Sequence, residues 1–139
     1  MITAIVRYRL PEHIDWAACR NHYEMIAPGF RKAKGLISKH FIWSESRVAG
    51  GVYQWESLKD AKAFYSGPWR RGIVERYGME PEIEYFTVFC ITDNTAGSVR
   101  IIEKAEPIRT KIKRTKREKT PRPAESANTR RNSQHSSQR

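Results

Sequence analysis

The side chains singled out for proton transfer and anion binding in this sequence are His22, Lys39 and His40. Imidazole is the side chain whose charge ordinarily changes nearest neutral pH, so His22 and His40 are the candidate general bases. Lys39 is the candidate partner for an anionic oxygen on a ligand. Each also has a plainer use. His22, beside Asn21, suits a solvated helix shoulder as well as the gap between a helix and a sheet. Lys39 suits a charge that guards an edge strand against unwanted pairing. Two aromatic pairs, Tyr53 with Trp55 and Tyr65 with Trp69, are explained first by core packing. No phosphate-binding loop, nucleophile elbow or metal-ligand spacing accompanies these residues. Cys19 and Cys90 stand alone, and Gly50-Gly51 at a strand start reads as a bulge or a close backbone approach.

The elements that must position these groups follow from periodicity. Ile2 to Leu10 alternates as a strand with one well-buried face. Trp16, Cys19, Tyr23, Ile26, Ala27 and Phe30 lie on one side of a helix over about Asp15 to Phe30, with Asp15 as its N-cap and Pro28-Gly29 disturbing its last turn. Leu36 to Ser44 and Val48 to Glu56 read as two strands joined by a hairpin loop. Lys39 and His40 then point to opposite faces, and the mixed composition of both faces does not decide which one meets the helices. Ser57 to Asp60 opens a second helix that Ser66-Gly67 interrupts, Pro68 restarts and Gly78 ends. That interruption suits a mouth between helix and sheet, where backbone groups are free to meet a ligand. Glu82 to Ile91 closes as a fourth strand.

The order β-α-β-β-α-β predicts an α+β ferredoxin-like sandwich, a four-stranded antiparallel sheet with both helices on one face. Several strands are apolar on both faces, as at Ile5 beside Val6 and at Tyr85 to Phe89. The economical cover for the face without helices is a second subunit, so a homodimer is expected.

The chain has 139 residues, and its charge is unevenly placed. Residues 1–95 hold 13 Lys+Arg against 11 Asp+Glu and every aromatic side chain, whereas 96–139 hold 13 against 4. A domain over 1–95 and a basic, disordered tail over 96–139 are therefore expected, the tail having too few large apolar residues to offset ordering. Such a tail suits non-specific contact with nucleic acid. Two isolated cysteines behind no secretory leader, and no apolar run of membrane-spanning length, point to a cytoplasmic protein with no membrane span.

Four stretches carry a family resemblance: Gly35-Leu-Ile-Ser-Lys-His-Phe-Ile-Trp-Ser-Glu-Ser, Ala49-Gly-Gly-Val-Tyr-Gln-Trp-Glu-Ser, Ala63-Phe-Tyr-Ser-Gly-Pro-Trp-Arg and Glu82-Ile-Glu-Tyr-Phe. Over residues 1–94 the chain resembles the YdhR-like monooxygenases of the dimeric α+β barrel superfamily. The resemblance implies an oxidoreductase working without a cofactor or metal on small aromatic or phenolic compounds. In that chemistry the protein binds an electron-rich phenol, removes its proton and stabilises the anion. His40 and His22 are then the catalytic candidates, either of them able to serve as the one base required, Lys39 the candidate anion partner, and Tyr53, Trp55, Tyr65 and Trp69 the candidate stacking walls. Two other readings use the same fold: a non-catalytic small-ligand-binding or stress-related module, and a dimeric platform whose basic tail contacts nucleic acid.

Overall fold

The computed structural model describes residues 1–109. Its core sheet is antiparallel, in the order β2-β3-β1-β4, built from β1 (Ile2–Arg9), β2 (Leu36–Trp43), β3 (Val48–Trp55) and β4 (Glu82–Thr87). The alternation in β1 does what its period dictates. Ile2, Ala4, Val6 and Tyr8 are all buried on one face, and Thr3, Ile5 and Arg7 are half-buried on the other. Helices α1 (Trp16–Ile26), α2 (Leu58–Tyr65) and α3 (Pro68–Tyr77) supply Cys19 and Tyr23, Ala61 and Tyr65, and Tyr77 to the same core. This is the ferredoxin-like α+β sandwich expected from the element order.

Local chemistry sets the helix ends. The Asp15 carboxylate accepts from the Ala18 N–H at 2.8 Å, and the Ser57 hydroxyl accepts from the Asp60 N–H at 3.1 Å. Pro28 ends the regular part of α1, and the chain runs on as a 3₁₀ helix over Ala27–Lys32. The interruption at Ser66-Gly67 separates α2 from α3, which Pro68 starts.

Pairing with β3 resolves the question of the faces of β2, since Lys39 lies opposite buried Tyr53 and His40 opposite Val52, and one irregularity adds Leu36 to the first face. Leu36 pairs with Trp55 and Ser38 with Gln54, so Ile37 is an extra residue that breaks strict alternation. Leu36, Lys39, Phe41 and Trp43 therefore share the helix-side face, while Ser38, His40 and Ile42 share the other. Gly50 has φ +152°, and a Cβ there would lie 1.8 Å from the Val6 carbonyl oxygen. It marks the close backbone approach expected of it.

The end of the domain departs from the expected fourth strand and from the boundary at residue 95. The β1–β4 ladder ends at Ile2 opposite Thr87, and the chain then pairs with itself as a hairpin of β5 (Cys90–Asp93) and β6 (Ser98–Ile101). The Asp93 side chain accepts from the Ala96 N–H at 3.0 Å in its turn. Beyond it Glu106 accepts from the Leu58 N–H at 3.0 Å, the Thr87 hydroxyl donates to the Glu106 carbonyl, and Ile108 packs against the core. The expectation of a disordered chain from residue 96 thus fails over 96–109, because side-chain hydrogen bonds and Ile108 hold what composition alone left loose. Residues 110–139, with most of the expected basic tail, lie outside the described residues. No helix among the described residues is long and apolar enough to cross a membrane.

Candidate functional site

A cavity of about 300 Å³ lies between α1 and α3 above the first three strands of the sheet. This is about twice the ~150 Å³ that suffices for a benzene-sized guest, and it sits at the small end of ligand pockets. α1 contributes His22, Tyr23 and Ile26; the 3₁₀ helix contributes Phe30; and α3 contributes Trp69, Gly72, Ile73, Arg76 and Tyr77. Tyr8, Lys39 and Tyr53, one from each of β1, β2 and β3, complete the lining. Exposed Gly72 and Arg76, with half-buried His22, form the side open to solvent.

Lys39 is the unusual member. Its Nζ stands 3.6 Å from the Phe30 ring centroid, 3.7 Å from that of Phe41 and 4.6 Å from that of Tyr53. No carboxylate among the described residues lies within ion-pair distance of it. Burial without an anionic partner disfavours the ammonium form, and the pKa falls from 10.5 to about 7. The neighbouring strand makes room for this side chain: a Cβ at Gly51 would come within 2.8 Å of the Lys39 Cε and 2.7 Å of the Tyr53 ring. The first glycine of the pair thus admits the backbone of β1, and the second admits the lysine stem.

A cluster of phenols lines the same cavity. The Tyr8 and Tyr23 hydroxyls are hydrogen-bonded to each other, and the Tyr8 hydroxyl reaches that of Tyr77 at 3.5 Å. The Tyr8 and Tyr77 rings stack at 4.1 Å. Burial raises the pKa of Tyr8, Tyr23 and Tyr53 far enough that they stay neutral donors through the physiological range. The pKa of His22 is lowered by burial first, then by the charges of Arg76 and Lys39. Near neutral pH the site therefore offers an amine with no described carboxylate at ion-pair distance, a neutral imidazole and phenolic hydroxyls around an apolar space. That set can take a proton from a weak acid and hold the resulting anion.

Of the residues expected from sequence, His22, Lys39, Tyr53 and Trp69 line the cavity together. His40 does not: its side chain is exposed on the face of β2 opposite Lys39, where its pairing with Val52 places it. Trp55 and Tyr65 stand behind the wall. The Trp55 indole N–H donates to the Tyr65 hydroxyl at 3.1 Å, and both residues are buried against Tyr53. The Ser66-Gly67 interruption does not form the mouth. It lines a separate surface cleft, and its effect on the cavity is to let α3 start in the direction that places Trp69 there. Tyr8, Tyr23, Tyr77, Phe30 and Arg76 were not picked out from sequence. A tyrosine on the buried face of β1 was the available signal, because a buried hydroxyl requires a partner.

The fold and site define an α+β ferredoxin-like domain with an amine-bearing aromatic cavity. Two among the solved structures that match share this fold. One is a Nitrosomonas europaea protein of unknown function, with TM-score 0.56 and 13% identity over 66% of this chain and 91% of that one. The other is a candidate antibiotic biosynthesis monooxygenase from Bordetella bronchiseptica, with TM-score 0.52 and 17% identity over 61% of this chain and 93% of that one. At these identities the likeness is one of fold. No protein-family model matches the sequence, and no curated protein does.

Proposed function

We propose that the cavity binds a small phenolic compound and that the protein is a cofactor-independent monooxygenase of the YdhR type. The observation that carries this reading is Lys39, an amine held in an aromatic cavity with no carboxylate within ion-pair distance among the described residues. A phenol entering this space meets an amine whose neutral form is substantially populated near pH 7 and which becomes, on taking the proton, the counter-ion of the phenolate. His22 supplies a second neutral base at the solvent side, and the Tyr8–Tyr23 pair supplies hydroxyl donors. The electron-rich phenolate then reacts with dioxygen at a free ring position. One oxygen atom becomes the second carbonyl of a quinone and the other leaves as water, with all four electrons drawn from the substrate. The shared fold of the Bordetella protein supports this choice among the chemistries that such a cavity permits.

The same reading proposes a homodimer. Ile5, Ile42 and Val52, with exposed Ile37 and Phe86, leave apolar surface on the sheet side away from the helices, which a second copy would cover. Sedimentation at micromolar concentration tests this, and a stable monomer of 16.2 kDa removes it.

Oxygen uptake by purified protein with a panel of hydroquinones and polyphenols, measured against a buffer blank, tests the chemistry. Turnover above the blank is expected, falling by about 10²- to 10⁴-fold in Lys39→Met. Saturable binding with turnover at the blank level would replace the oxygenase by a non-catalytic ligand-binding module.

A further inference from the structure

We propose that Lys39 is also a nucleophile, a site of reversible imine formation with small aromatic aldehydes that enter the cavity. The proposal rests on the cavity being the ligand site described above, and it adds a covalent step that proton transfer does not require.

The geometry supplies three conditions for such a step. The amine lies on the wall of a space large enough for one ring system, about 300 Å³. Phe30, Phe41 and Tyr53 hold the Nζ between their faces, so an incoming ring is guided by stacking with its substituent turned toward nitrogen. No ion pair with a described carboxylate has to be broken before the lone pair is free. Gly51 belongs to the same arrangement, since any side chain there would push the Lys39 stem out of its place. The amine's lowered basicity is consistent with this use, as desolvated lysines in apolar pockets are the ones that attack carbonyls near neutral pH. The titratable and charged groups sharing the cavity are His22 and Tyr23 of α1, Arg76 and Tyr77 of α3, Tyr8 of β1 and Tyr53 of β3.

In the step, the Nζ lone pair attacks the aldehyde carbon and the carbonyl π electrons move to oxygen. A proton passes from nitrogen to that oxygen, and the carbinolamine loses water as the C=N bond forms. His22 and the phenolic hydroxyls are the groups available to move the proton. Overall, amine and aldehyde give imine and water, with no change of oxidation state and no added reagent. An aldehyde is favoured over a ketone because the carbonyl carbon must pass between ring faces, where hydrogen fits and a second carbon substituent crowds.

The test uses the full chain with salicylaldehyde and cyanoborohydride at pH 7.5. The hydride reduces any imine to a stable secondary amine, and peptide mapping by mass spectrometry then locates it. The expected result is labelling at Lys39 at least about tenfold faster than at any other lysine, because a far larger fraction of its amine is neutral at that pH. Phenol, which occupies the cavity but forms no imine, should suppress the label at Lys39 and leave the others unchanged. Labelling spread over the lysines with no preference for Lys39 overturns the proposal. Ligand-detected NMR with phenol separates the two ideas. Phenol binding with no selective label removes the imine and keeps the cavity as a phenol site, whereas neither binding nor label removes both.

Discussion

Replacing Lys39 by methionine should make the folded protein less sensitive to pH, by an amount that follows from the burial of its amine. In the unfolded chain this lysine titrates at its ordinary 10.5, and in the folded protein at about 7. Between those values the unfolded state binds the additional proton, so stability rises with pH through this window. Below about pH 7 both states are protonated, and the full cost of burying the cation is present. Integrating the linkage between pH 7 and pH 9 gives a gain of about 2 kcal/mol for the wild type from this group alone, at ~1.36 kcal/mol per pKa unit. In the Lys39→Met variant the new side chain has no proton to bind, and its thioether chain fills the same aromatic slot. The variant should therefore gain stability relative to wild type at pH 7, and lose about 2 kcal/mol of that advantage by pH 9. Buried Cys19, whose pKa is raised, pulls the other way above its ordinary 9.0, but it does so in both proteins and cancels in the comparison. Urea unfolding of both proteins at pH 7, 8 and 9 measures the difference directly. Parallel pH profiles would falsify the claim that Lys39 is held as a desolvated amine, and the proton-acceptor role proposed for it would fall too.

Three further substitutions or truncations probe the surroundings of that amine and the domain that holds it. Gly51→Ala introduces a Cβ within 2.8 Å of the Lys39 Cε and 2.7 Å of the Tyr53 ring; it should cost about 1–3 kcal/mol in thermal or urea unfolding and weaken phenol binding in ligand-detected NMR. Tyr8→Phe removes the hydroxyl that links Tyr23 to Tyr77, leaving a buried phenol without its partner; urea titration should show a loss of about 1–3 kcal/mol, and an unchanged midpoint would mean that water replaces the bond. Truncation after residue 95 removes β6, the Glu106 acceptor at the start of α2 and Ile108, so its thermal midpoint should fall below that of a chain ending at residue 109; equal midpoints would show that the hairpin adds nothing to the domain.

The helices and the order of the main strands were legible because each is a local matter. Alternation from Ile2 to Tyr8 has one burial pattern in any sheet, Asp15 and Ser57 cap the helices that follow them, and Pro68 starts a helix wherever the chain turns there. The hairpin after Thr87 was also written locally, in Asp93-Asn94-Thr95-Ala96-Gly97 with Val99 and Ile101 alternating beyond it. The charge contrast across residue 95 concealed it, since composition averages over a segment and misses single contacts such as that of Glu106.

The site is a different case. Sequence alone named His22, Lys39, Tyr53 and Trp69 as residues of the right chemistry, but it could not choose between Lys39 and His40. That choice belongs to the register with β3, which sets Lys39 opposite buried Tyr53 and His40 opposite Val52, and register is a matter of strand pairing rather than composition. Bringing Tyr8, Tyr23 and Tyr77 together needs three elements whose mutual placement depends on packing between residues up to 69 positions apart. The lowered basicity of Lys39 is likewise a property of assembly. Any exposed lysine has the same side chain, and only closure of Phe30, Phe41 and Tyr53 around it removes the water that would keep it charged.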